Sequence, residues 1–232
     1  MKTGPAAITG LEGVILFGSS ARGDDDAHSD RDVCAIVANL PDRQIHSLKR
    51  RVADLYLTNP QSVSAYRRST ISQMAEFGSL FLWHLKLEGR VLYDRSGITA
   101  KTFSNLAAYR RYAEDLLRFQ EVFDDTVREF GVRPRLDLFD LHCLFLVIRN
   151  VCMLLTVKAG DPQFGRSSVY AAAVKHYARL PVPAHMFYEL ANAHLAYSRG
   201  ADVRVLLPSR LAGSRTLKRV DSLLRFAWRQ LA

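Results

Sequence analysis

The chain has 232 residues, 48% of them hydrophobic and 24% charged, which suits one large globular domain or two small ones. Its net charge of +9 is uneven: residues 1–95 hold 12 Lys/Arg against 11 Asp/Glu (+1), and residues 96–232 hold 20 against 12 (+8). No apolar run of the roughly 18 residues a membrane span needs stands out, and residues 1–10 do not read as a signal peptide. Cys34, Cys143 and Cys152 sit in apolar segments and are odd in number, so they read as reduced core residues of a cytoplasmic protein.

Residues 14–17 form a short apolar run ending at Gly18, the pattern of a buried strand. A second apolar run covers 32–37 and is closed by Asn39 and Pro41. Residues 42–57 have helical spacing (Ile45, Leu48, Val52, Leu55), with Asp42 placed to cap. A third strand is expected at 62–66, after the Asn59-Pro60 break. An apolar helix follows at 79–87, stopped by Gly89, and then a fourth strand at 91–93. Beyond Ser96-Gly97 the spacing is helical nearly throughout, at 101–130, 136–159, 167–179, 183–199 and 211–231. The breaks fall at 131–134, 160–162, 180–183 and Gly200. The expectation is an α+β chain: a small mixed-sheet domain with helices over residues 1–97, then an all-α bundle over 98–232.

The chemistry concentrates between the first two strands. Glycine at 18 lets the backbone turn sharply and approach a bulky ligand. Ser19 then stands where a helix would begin, and the unpaired amides of a helix start suit a phosphate. Asp30 and Asp32, two apart on a strand, share a face. Their carboxylates repel unless a cation joins them, and they supply the hard oxygens magnesium prefers, with substrate phosphates completing its shell.

Gly18-Ser19, Arg22-Gly23, Ser29-Asp30-Arg31-Asp32 and the apolar run from Val33 resemble the motif of the DNA-polymerase-β-like nucleotidyltransferase superfamily, most of all its small bacterial members. The motif covers about 20 residues, and the resemblance of the catalytic domain reaches to Tyr93. It implies that Gly18 and Ser19 hold the triphosphate, and that Asp30 and Asp32 bind Mg2+ and are catalytic. Arg22 would neutralise phosphate charge or pair with the acids at 24–26. The family's third carboxylate comes from a later strand. Here residues 62–66 carry no acid, and the equivalent position is assigned to Ser64.

The helical half resembles a HEPN-like bundle. Arg149-Asn150 matches the opening of the HEPN nuclease motif, but residues 151–158 contain no histidine, so the resemblance implies a bundle without nuclease chemistry. Within that half, Arg149 and Asn150 read as a buried polar anchor, and Phe164 beside Arg166 as a stacking pair for a nucleotide-like group or a plug of the bundle. His84 and Lys86 read as packing residues with polar tips, and Asp24, Asp25, Asp26 and His28 as a solvated loop.

The resemblance implies a transferase that moves a nucleoside monophosphate from an NTP to a hydroxyl of a small molecule, a protein or an RNA. The alternative is a weak or inactive nucleotidyltransferase fold serving as a regulatory, antitoxin-like binding protein. The basic second half suits a polyanionic partner and argues against an aminoglycoside-type acceptor, which wants an acidic pocket. A homodimer or a helical partner protein fits the same picture, and no membrane association is expected.

Overall fold

The computed structural model describes residues 4–23, 31–200, 205 and 207–231. The chain is α+β. It divides into two compact units, Met1–Arg110 and Arg111–Ala232.

The first unit is built on four strands: β1 (Leu11–Phe17), β2 (Asp32–Val37), β3 (Val63–Arg67) and β4 (Arg90–Asp94). They lie in the order β3-β2-β1-β4. β1 is antiparallel to β2 and β4, whereas β2 and β3 are parallel, so the sheet is mixed. β1 and β2 are joined through α1 (Ser19–Arg22). The parallel pair is joined through α2 (Asp42–Tyr56), the crossover that parallel strands require. Alternation then sorts the side chains. Val33, Ala35, Val37 and Val63 pack with Leu48, Val52 and Ala53 of α2. On the other face Ile15, Cys34 and Ile36 pack with Ile71 and Ala75 of α3 (Arg68–Glu76) and with Leu82 and Leu85 of α4 (Leu80–Glu88). Burial pushes the Cys34 thiol up to about 12, as for an inert core cysteine.

Several local expectations change. Asp42 is not the cap of α2: Pro41 holds that position without a side-chain bond, and the Asp42 carboxylate pairs with Arg67. α3 was not foreseen. The continuous helix expected over 101–130 is two helices, α5 (Ile98–Ser104) and α6 (Tyr112–Val132). Tertiary bonds hold the chain open between them: the Ala107 amide donates to the Ala75 carbonyl, and the Trp83 indole donates to the Ala107 carbonyl. α5 packs on β1 and β4 and so belongs to the first unit. Gly131 does not break α6, which stops just before Pro134, as the residue preceding proline disfavours helix.

The second unit is an all-α bundle of α6, α7 (Leu138–Lys158), α8 (Ser168–His176), α9 (Ala184–Arg199) and α10 (Arg210–Leu231). α7 is the centre: α6, α8, α9 and α10 all pack against it. It opens with a capping box in which Asp137 and Asp140 exchange side-chain and backbone bonds. α7 also corrects the expectation that no segment has membrane-span character, because by length and composition it is apolar enough to cross one. Here it is the bundle's core helix, with Leu144, Phe145, Ile148, Val151, Cys152 and Leu155 fully buried. Arg149 anchors the loop after α7 by donating to the Phe164 carbonyl at 2.6 Å and to Asn150 at 3.1 Å. Phe164 is buried, 3% exposed, so it plugs the bundle and is not presented for stacking.

Candidate active site

β1 ends at Phe17, whose register partner is Asp32, the first residue of β2. The Gly18 turn and the Asp32 carboxylate therefore meet at one end of the sheet. Gly18 has φ 72° and ψ −154°, a region essentially reserved for glycine. A Cβ built on it would lie 2.8 Å from Asp32 Oδ2. The backbone angle thus calls for glycine, and any side chain there would displace the Asp32 carboxylate.

α1 starts directly from this turn. Its first intrahelical bonds run from the Ala21 and Arg22 amides to the Gly18 carbonyl, so the Ser19 and Ser20 amides precede the ladder. Ser19 is half-buried as the first residue of α1. The Ser20 hydroxyl is buried and has no hydrogen-bond partner among the described residues. Asp30, with the loop residues Asp24, Asp25, Asp26 and His28, lies outside the described residues, which contain no group of three or more His, Cys, Asp or Glu side chains.

Arg22 is held by Glu88 at the end of α4, Nη1 to Oε2 at 2.7 Å. The same carboxylate lies 3.3 Å from His84 Nε2, one helical turn earlier. The His84 ring stands edge-on to Phe17, centroids 5.6 Å apart. Burial pushes the Glu88 carboxyl up, but the close approach of His84 and the bond and charge of Arg22 outweigh it, and it rests below the usual carboxylate range. This anchor fixes α1 to α4 behind the Gly18–Asp32 pair. Glu88 was missed in the sequence. The one signal was its place four residues after His84, on the same helix face. Lys86 turns away, donating to the Phe103 carbonyl and lying over the Trp83 ring at 5.0 Å.

Ser64 lies on the Asp32 side of the sheet, because its register partner is Cys34, two residues along from Asp32 on the same face. It stands beside Tyr66, whose hydroxyl is raised by burial and by Cys34 and lowered by its bond with Ser64. The register pairs Val33 with Val63, so the position level with Asp32 is Ser62, at the end of the short 3-10 turn Pro60–Ser62. Neither is an acid.

A scan against protein-family models finds no match, and a search of the curated proteins finds none. Among solved structures, the chain is similar to the spectinomycin adenyltransferase AAD(9) from Enterococcus faecialis with ATP and spectinomycin, at 11% identity, covering 94% of this chain and 92% of that one, TM-score 0.48. It is also similar to a chain of a toxin-antitoxin structure with AMP-PNP, at 20% identity, covering 50% of this chain and 86% of that one, TM-score 0.30. A third likeness is to a mutant of the toxin-antitoxin MntA-HpeT, at 18% identity, covering 53% and 90%, TM-score 0.31.

Proposed function

We propose that this chain is a magnesium-dependent nucleotidyltransferase that moves a nucleoside monophosphate from an NTP to an acceptor hydroxyl. The observation that carries this reading is the fit of Gly18 against Asp32: a glycine-only turn, opening into a helix start, set on a carboxylate. Hard oxygen donors at that spot suit magnesium, which Asp32, with Asp30, would hold. When bound it supplies charge neutralisation across the phosphates. The chain's own residues do the rest. The turn at Gly18 admits the phosphate tail without a side chain in the way. Ser19 and the first amides of α1 donate to its oxygens. Arg22, on α1 and paired with Glu88, would add positive charge beside that tail. The acceptor oxygen would attack the α-phosphorus in line, forming the new O–P bond as the bond to the β-phosphate oxygen breaks, with its proton passing to solvent and pyrophosphate departing.

The acceptor, whether small molecule, protein or RNA, belongs to this proposal, as do a HEPN-like role for the bundle as substrate- or partner-binding domain, pairing with a second copy or a helical protein, and a cytoplasmic location. A second reading, a weak or inactive fold that serves as a regulatory, antitoxin-like binder, is favoured by one observation: Ser64 of β3 and Ser62 of the turn before it stand where a third carboxylate would be expected.

Incubation with each labelled triphosphate and magnesium, following pyrophosphate and label transfer, tests the first reading. Asp32→Asn is expected to lose magnesium-dependent nucleotide binding while keeping the fold. Unchanged binding in that variant by calorimetry would remove Asp32 from the metal site. Tight binding without turnover on any acceptor would select the second reading.

A further inference from the structure

The opposite end of the same sheet holds a different set of groups. Val37 closes β2 and pairs with Leu11 at the start of β1 and with Arg67 at the end of β3, while Asp94 at the end of β4 pairs with Gly13. These pairings bring the residues just beyond the strand ends, Gly10, Ala38, Arg68 and Arg95, to one rim. A cavity of about 390 Å³ opens there, lined also by Glu12, Ser96 and Lys101. An adjoining hollow of about 280 Å³ shares Arg68, Ile98 and Lys101 and adds Ser72, Glu76 and Asn105.

The charges are not balanced within the first cavity. Arg68 and Glu12 form a two-pronged pair that fixes the guanidinium and neutralises it. Arg95 and Lys101 line the same space without an ion-pair partner among the described residues. Three cations against one carboxylate leave +2. A concave wall of one sign focuses the field and concentrates anions. Ser96 adds a second sign of a built rim. It holds φ 62°, a left-handed conformation that non-glycine residues keep only when their surroundings impose it. The turn it forms with Gly97 is closed by the Thr99 amide donating to Asp94 Oδ1 at 3.1 Å. The adjoining hollow keeps Arg68 and Lys101 on the shared wall and adds a carboxylate, an amide and a hydroxyl, groups suited to a ligand's own hydroxyls.

We infer that this rim binds a small phosphomonoester, with its phosphate between Arg95 and Lys101 and its hydroxyl-bearing body against Glu76 and Asn105. A phosphomonoester carries between one and a half and two negative charges near neutral pH, which matches the excess of the first cavity. The site is at the far end of the strands from Gly18 and Asp32 and stands whether or not the proposed transfer occurs there.

The test is calorimetry on the full chain without magnesium, using ribose 5-phosphate, ribose and inorganic phosphate as probes. Ribose 5-phosphate is expected to bind the wild type and Asp32→Asn equally. Arg95→Ala and Lys101→Ala are each expected to weaken it by about tenfold or more, the loss of one hydrogen bond to a charged group. Glu76→Gln should weaken ribose 5-phosphate and leave inorganic phosphate unchanged. Near-ultraviolet circular dichroism confirms that each variant is folded. Absence of ribose 5-phosphate binding in the wild type overturns the site. So does a change of affinity in Asp32→Asn, in either direction, that the Arg95 and Lys101 variants do not share, because the phosphate would then sit at the other end of the sheet. Inorganic phosphate binding as tightly as ribose 5-phosphate overturns the phosphomonoester assignment.

Discussion

Asp32 and Asp140 both stand at the start of a secondary-structure element, and the two units use them differently. Asp140 opens α7, accepts the Asp137 amide at 2.9 Å and lies 3.8 Å from Arg133, so its carboxylate serves to start a helix. Asp32 opens β2, with an oxygen against the bare backbone of Gly18. The contrast extends through each unit. In the bundle the polar groups amid apolar helices are used locally. Arg149 holds the Phe164 carbonyl, Thr156 holds the Met153 carbonyl, and His142 and His194 share one hydrogen bond at 2.9 Å. In the sheet unit polar groups collect where strands end, because alternation buries side chains along a strand and stops doing so at its rim. Chemistry is therefore expected at the two ends of the sheet, and the bundle core is expected to be structural.

The largest effect should come from the bundle core. Phe145 is 1% exposed and packs on Phe187 and His194. Phe145→Ala is expected to cost about 3–5 kcal/mol, a large part of the roughly 5–15 that holds a protein folded. Hydrogen exchange should show the α7 amides losing protection while those of β1 and β2 keep theirs. Equal loss in both would show that the two units do not divide structure from chemistry in this way.

Gly18→Ala acts on the other unit. The backbone angle alone costs about 1–3 kcal/mol for a residue with a Cβ, and here that Cβ also meets the Asp32 carboxylate. A lowered melting temperature together with loss of nucleotide binding is expected. A variant that binds nucleotide like the wild type would show that the close approach is dispensable.

Ser64→Asp sharpens the question of the missing acid. The register sets position 64 level with Cys34 and beside Tyr66, half-buried at the margin of the apolar face under α3 and α4. A carboxylate there is expected to destabilise by about 1 kcal/mol, the low end for a polar group taken partly out of water, without raising transfer. Ser62→Asp, level with Asp32, is the substitution expected to raise the transfer rate. A faster Ser64→Asp enzyme would contradict the register argument.

That distinction marks how far the residues alone could lead. β1, β2, α4 and α7 were legible as apolar runs bounded by breaks, and α2 and α10 because each carries its own hydrophobic period. The Gly18-Ser19 turn and Asp32 were legible as a motif, and the structure brings them together. α3 was not legible, since only Ile71, Met74 and Ala75 give its nine residues an apolar face. The break after α5 depends on bonds to Ala75 and Trp83, far away in the chain. Ser62 and Ser64 have the same parity, and only pairing with β2 separates them. Glu88 meets Arg22 across 66 residues, a partnership no local pattern encodes.

That long-range pair gives the smallest expected effect, and it differs in sign from Asp140. The Glu88 carboxyl is held below its ordinary value near 4.5, because the nearby His84 and the bonded Arg22 outweigh burial. A carboxyl lowered in the folded state contributes stability that is fully present above its unfolded pKa and is lost as pH falls through the folded one. Asp140 is raised, by burial first, so its ionisation opposes folding as pH rises through its folded value. Acid should therefore loosen the pin between α1 and α4 and relieve the Asp140 penalty, while the Asp137 carboxyl of the same capping box, held low by the Asp140 amide and Arg133, works the other way. Melting temperatures of the wild type, Glu88→Gln and Asp140→Asn, followed from about pH 6 down to about pH 3, separate the two. The wild type should exceed Glu88→Gln at the upper end, and that gap should close below the ordinary glutamate range. The gap to Asp140→Asn should move the opposite way. A Glu88→Gln gap that stays constant across the range would mean that the carboxylate's charge does not hold Arg22 in place, and the proposed alignment of Arg22 beside the phosphate tail would lose its support.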